Sequence, residues 1–287
     1  MEHVAALPTP SVARLRAVMA RLRDADSGCP WDLEQSLDSL KSYLIEESHE
    51  LVDAIDDLGA AARRTAAPAD AAPEAIEGHR EELGDVLLQV VFQSQLAAEF
   101  GWFSLDDVAA GIADKMIRRH PHVFQEPGDS ASGEALSSDQ VVDQWQAIKA
   151  KEKSERTDPL DGVSRSAPAL VRAEQIGAKA AKRGFDWPDV SGALDKVDEE
   201  RLELEEALQS GDPVAIEHEL GDLLFAVTSV ARHARVNPEL ALSGALRRFR
   251  ARFAPVARKL ADQPDADLET MERWWQEAKN LSGGDRG

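Results

Sequence analysis

Apolar residues return every three or four positions along almost the whole chain. Leu15, Val18, Met19 and Leu22 form one helical stripe, and Leu40, Leu44, Leu51, Ile55 and Leu58 form the next. No stretch of similar length alternates with a period of two, so the pattern gives strands no support. The spacing predicts helices over about 11–24, 36–59, 74–100, 104–119 and 138–152. A second series is predicted over about 168–183, 191–209, 213–235, 238–262 and 267–281. Residues 59–73 and 125–138 read as loops. Residues 153–167, polar and interrupted by Pro159 and Gly162, read as a linker between a first domain over 1–152 and a second over 168–287. The fold class expected is all-α.

The two series repeat one another. The first copy carries Trp31-Asp32, Glu46-Glu47-Ser48-His49-Glu50, Glu82-Leu83-Gly84-Asp85, Lys115 with Arg119, and Trp145 with Lys149. The second carries Trp187, Glu199-Glu200-Arg201-Leu202-Glu203, Glu219-Leu220-Gly221-Asp222, Arg248 with Arg252, and Trp275 with Lys279. The order is the same in both, which isolated chance matches do not readily produce.

Composition narrows the chemistry. The 53 acidic residues against 33 basic ones give a net charge of −20, which opposes sequence-independent binding to nucleic acid polymers or an anionic membrane. A polyanionic substrate would then need a metal to mediate its contact. Cys29 is the single cysteine, no apolar run approaches the roughly 18–20 residues of a membrane span, and the first residues lack the features of a signal peptide. A soluble cytoplasmic protein is the expectation. One tyrosine and eight phenylalanines among abundant Ala, Leu, Glu and Arg favour helix again.

Glu199, Glu200 and Glu203 project from neighbouring parts of one helical face, and Glu219 and Asp222 do the same on the next helix. Their mutual repulsion has no local compensation and calls for a cation. The apolar stripes Leu194, Val197, Leu204 and Leu208, and Leu220, Leu223, Leu224 and Val227, are expected to pack antiparallel and bring the acids together. Hard oxygen donors without His or Cys suit Mg²⁺, with Mn²⁺ as a substitute. A charge run on one helix is ordinarily a solvated face. The matched ExxD on the following helix and the second occurrence of the whole set argue for metal binding instead, with Glu46, Glu47, Glu50, Glu82 and Asp85 as the weaker set.

With these motifs the chain resembles the MazG family of nucleoside triphosphate pyrophosphohydrolases in its tandem form. The resemblance rests on Gly28-Cys29-Pro30-Trp31-Asp32, both EExxE and ExxD pairs, Arg118-Arg119-His120-Pro121-His122-Val123-Phe124 and Gly184-Phe185-Asp186-Trp187, and it covers nearly the whole chain. It implies helical bundles that dimerise and a reaction converting a nucleoside triphosphate to the monophosphate and pyrophosphate. It carries over Glu199, Glu200, Glu203, Glu219 and Asp222 as the acids. A metal-activated water would attack the α-phosphorus, with Glu199 or Glu200 orienting it. Lys196, Arg248, Arg252 and Lys279 would hold the remaining phosphates, and Trp275 is a candidate for the base, although a helical Trp is more often core. His120 and His122 read as a helix-ending loop barred by Pro121, and Cys29 as structural.

The copies are unequal. Lys196 stands one turn before Glu199, where the first copy has Tyr43. Glu50 and Glu82 are separated by 31 residues, against 15 between Glu203 and Glu219. The second domain is therefore expected to be the main catalytic unit. Two other readings compete: a non-enzymatic helical regulator or scaffold, and a di-iron carboxylate bundle suggested by Glu46-x-x-His49. The second copy has Leu202 where His49 stands, which weakens the latter.

Overall fold

The computed structural model describes residues 11–63, 72–124 and 158–282, with isolated positions 65, 67, 137, 140, 141, 144, 145 and 148. Among the described residues there is no strand, and no helix is long and apolar enough to cross a membrane. The chain divides into two compact units, residues 1–152 and 153–287.

The first unit contains α1 (Val12–Leu22), α2 (Pro30–Glu34), α3 (Leu40–Arg63), α4 (Pro73–Glu99), α5 (Leu105–Arg119) and α6 (Pro121–Phe124). α3 and α4 lie along one another, and α1 packs on α4. Met19, Leu40, Val91, Phe92 and Leu96 form the core, with Leu15, Tyr43, Leu88 and Leu105 around it. Full burial of each large side chain contributes about 1.5–3 kcal/mol. Because the α4 members of this cluster begin at Leu88, the first half of α4 is left to face the acids of α3. α5 starts at a capping box, Ser104 accepting from the Asp107 N–H and Asp107 from the Ser104 N–H.

The second unit contains α7 (Ala169–Ala181), α8 (Val190–Ser210), α9 (Pro213–His233), α10 (Pro238–Asp262) and α11 (Leu268–Ser282). Gly211 ends α8 at φ +70°, a conformation that a side chain disfavours, and Asp212 then caps α9 by accepting from the Val214 N–H at 3.0 Å. Pro213 at the first helical position completes this short turn. α7 packs on α9 and α10, and α10 pairs with α11.

Every helix expected from periodicity is found with its ends moved by at most four residues, except that over 138–152, of which only residues 140, 141, 144, 145 and 148 are described. Two short helices were not expected. Pro30 opens α2 and Pro121 opens α6, so Pro121 ends α5 and also begins a new turn. The stripes expected to join α8 and α9 are corrected in part. Val197, Leu204 and Leu223 are half-buried, whereas Leu194, Leu208, Leu220, Leu224 and Val227 are exposed, and the fully buried residues are Ala193, Glu200 and Ala207 on α8 and Ala226, Thr228 and Ser229 on α9. Small side chains allow closer approach of two helices than leucines do, so they take the middle of the contact and leave five of the eight stripe residues outward.

Candidate metal centre

On α8, Ala193, Glu200 and Ala207 recur every seven residues, which places Glu200 inside the helix contact at 5% exposure. One of its carboxylate oxygens meets Lys196 Nζ at 2.6 Å, and the other, Oε2, is buried without a hydrogen-bond partner. Lys196 also reaches Glu199 at 2.7 Å, and these two carboxylates hold its pKa above the ordinary lysine value. The short turn at Gly211 sets the level of the acids. Glu203 lies seven residues before the end of α8 and Glu219 six after the start of α9, so both stand about 10 Å from the turn. Carboxylate oxygens of Glu200, Glu203 and Glu219 accordingly lie within 4.8 Å of one another. Burial first, and then the charge of Glu200, push the Glu203 carboxyl above its usual value. A buried, unpaired carboxylate oxygen beside two more acids is unfavourable alone and is relieved by a hard cation.

His218, Glu219 and Asp222 form an adjoining donor group, also within 4.8 Å. Its imidazole Nδ1 stands 3.2 Å from Asp222 and 3.4 Å from Glu219.

The first unit repeats the cluster with Glu47, Glu82 and Asp85 inside 4.8 Å, despite its longer connection. Burial and then Asp85 raise the Glu47 pKa, and burial and then Glu50 raise that of Glu82. Glu82 Oε2 and His79 Nδ1 are buried without partners. An acidic groove of about 340 Å³ continues past the cluster, walled by Glu50, Asp53, Asp57, Glu74 and His79. Tyr43, where the second unit has Lys196, packs into the core and against Trp31 with ring centroids 5.7 Å apart.

With two helix pairs presenting the same acids, the chain can be compared with known proteins. The family model for the MazG nucleotide pyrophosphohydrolase domain matches residues 35–124 and 191–254. A nucleoside triphosphate pyrophosphohydrolase of Escherichia coli (strain K12) is 41% identical over 93% of this chain and 97% of its own length. The chain belongs to the MazG family. A nucleoside triphosphate pyrophosphohydrolase/pyrophosphatase MazG of Thermotoga maritima is 39% identical over 94% of this chain and 95% of its own. The uncharacterized protein YabN of Bacillus subtilis is 38% identical over 92% of this chain and half of its own length.

Each MazG unit thus gathers its acids on one helix pair. In the second, Lys196, Glu200, Glu203, Glu219 and Asp222 converge, whereas Glu199 pairs with Lys196 on the outer side and stands in neither donor group. In the first, Glu46 and Glu50 flank the central three, and His49 is exposed on α3. Arg248, Arg252, Trp275 and Lys279 stand on α10 and α11, with Trp275 packed on Phe249 at 5.1 Å.

Sequence reasoning missed the anchor of the Gly184–Trp187 segment. Asp186 takes two hydrogen bonds from Arg232, one at 2.7 Å, and one contact from His233 Nε2 at 3.1 Å, which holds its carboxyl down at about pKa 2. A Cβ on Gly192 would fall 2.8 Å from Trp187 Cγ, so glycine there lets the indole lie against α8. Beside this anchor is an apolar cavity of about 450 Å³ walled by Ile176, Phe185, Trp187 and Phe225. In the first unit Arg23 does similar work, donating to the Asp32 carbonyl and pairing with Glu99 at 2.7 Å. His218 and His79 were also missed, although each lies within one turn of a motif acid, which was the available signal.

Proposed function

We propose that the chain is a Mg²⁺-dependent nucleoside triphosphate pyrophosphohydrolase that releases the monophosphate and pyrophosphate, with the second unit as its main catalytic site. The observation that carries this reading is the buried, unpartnered oxygen of Glu200 amid Glu203 and Glu219, in a chain similar over nearly its whole length to enzymes named for that reaction.

The donors fit a hard divalent ion, and Glu200, Glu203, Glu219 and Asp222 would hold it. When bound, Mg²⁺ polarises the α-phosphoryl oxygen and makes water a competent nucleophile at neutral pH. Glu199, exposed and hydrogen-bonded to Lys196, is free to turn toward an attacking water and take its proton. Lys196, then paired with Glu200 alone, can also donate to the phosphate oxygens, where its charge stabilises the leaving pyrophosphate. The apolar cavity opens one helical turn beyond Asp222, since Phe225 lines it, and its walls Phe185 and Trp187 suit a planar base. Arg248, Arg252 and Lys279 supply further phosphate contacts in this reading. A nucleotide-pool role in the cytoplasm, on canonical or damaged triphosphates, follows from the same substrate class.

The test is product identity on a panel of normal and modified triphosphates with Mg²⁺, Mn²⁺ or Ca²⁺. Monophosphate and pyrophosphate are expected with Mg²⁺ and Mn²⁺ and no turnover with Ca²⁺, whose looser geometry misplaces the water. Diphosphate and orthophosphate as first products would overturn the assignment.

A further inference from the structure

The two acid clusters are alike in oxygen donors and differ in one atom type. In the second unit His218 directly precedes Glu219 and stands four residues before Asp222, so it shares a helical face with the latter. Its Nδ1 faces both carboxylates, at 3.4 and 3.2 Å, while the side chain as a whole is 71% exposed. Nδ1 is thus placed with the oxygens of Glu219 and Asp222 as one compact group of possible ligand atoms, all within 4.8 Å of one another. The neighbouring group of Glu200, Glu203 and Glu219 shares Glu219 with this one. Independently of the histidine, the orphaned Oε2 of Glu200, in a residue 5% exposed, marks that adjoining group as short of a cation. At the matching position the first unit has Glu81, which is exposed, and its donor group of Glu47, Glu82 and Asp85 contains oxygen only.

We infer that His218 is a nitrogen ligand of the second unit's metal site, which also takes Mg²⁺, and that it raises the affinity of that site for Mn²⁺ relative to Mg²⁺ above the ratio shown by the first unit's all-oxygen site. The inference rests on reading the acids as metal ligands. Imidazole adds more to the affinity for Mn²⁺ or Co²⁺ than for Mg²⁺, whose preference is for oxygen and retained water.

The experiment uses the full chain with the first site silenced by Glu47→Gln and Asp85→Asn, with and without His218→Gln. Bound Mn²⁺ is counted by continuous-wave electron paramagnetic resonance, and directly coordinated ¹⁴N is read from electron spin-echo envelope modulation. With His218 present, bound Mn²⁺ should show ¹⁴N modulation. His218→Gln should abolish it and weaken Mn²⁺ binding on the order of tenfold, with little change in Mg²⁺ competition. Bound Mn²⁺ without ¹⁴N modulation, or modulation that survives His218→Gln, overturns the role of His218 and leaves the acid site standing. Absence of bound Mn²⁺ from both proteins overturns the reading of the acids and the inference with it. Should circular dichroism show the silenced background unfolded, His218→Gln is compared with His79→Gln in the otherwise unaltered chain, and only the former should remove the second unit's ¹⁴N signal.

Discussion

Glu200 receives Lys196 on one oxygen and nothing on the other, whereas Glu47 is less deeply placed and its helix offers Tyr43 instead of a lysine. Amide substitution keeps size and removes the anionic donor, so Glu200→Gln and Asp222→Asn should each lower kcat/KM of the full chain by at least about 100-fold. Glu47→Gln and Asp85→Asn should leave most of it, with circular dichroism confirming the fold of all four. Equal losses in both pairs would make the first unit catalytic too. A second residue-scale expectation concerns pH. The carboxyl of Asp186 is held at about 2, below the unfolded value of 3.8, by Arg232. Its contribution is therefore complete above about pH 4 and is lost as pH falls through 2. Asp186→Asn should destabilise the second unit by about 1–2 kcal/mol near neutrality and flatten that acid limb in urea titrations from pH 5 to 2. Stability that stays parallel to the parent over the whole range would remove the ion pair from the account.

Among the elements, the α8–α9 hairpin fixes how the acids meet, because Gly211 and Asp212 bring Glu203 and Glu219 to the same height. Gly211→Ala forces a side chain into φ +70° and should cost about 1 kcal/mol, read as a lower urea midpoint with an unchanged m-value. An unchanged midpoint would show that the turn relaxes freely. This hairpin also shows what a sequence discloses. The 3.6-residue period placed the helices, and the i, i+3 spacing of Glu200 with Glu203 and of Glu219 with Asp222 announced a shared face on each helix, because both properties are local. Whether leucines or alanines join two helices depends on their separation, which spacing does not encode, and so Ala193, Ala207 and Ala226 were overlooked. Asp186 and Arg232 meet across 46 residues, and neither their spacing nor their type distinguishes them from ordinary surface charges. α2 and α6 are too short to show a period at all.

At the scale of the whole molecule, the outward-turned residues of the second unit, Leu202, Leu208, Leu220, Leu224 and Val227, are many to leave to water. Pairing of like units across a two-fold axis would cover them, so light scattering at micromolar concentration should give about twice the 31.3 kDa of the chain. A stable monomer would contradict this, and Leu220→Lys with Leu224→Lys should shift the protein toward the monomer. The net charge of −20 adds to the metal requirement, since a bare triphosphate approaches a like-charged molecule.

If Glu200 serves the proposed reaction, the seam through Ala193, Glu200 and Ala207 sets activity against durability. A carboxylate buried in a helix contact, with one oxygen unsatisfied, is a local cost to stability that a catalytic role would retain. Glu200→Met fills the same volume without a charge and relieves the repulsion on Glu203. In chelator this inactive variant should melt a few degrees higher than the parent. Saturating Mg²⁺ should narrow or reverse the difference, because the parent alone gains from the ion. Random libraries screened for heat resistance alone should therefore recover apolar substitutions at this position and, with them, loss of function.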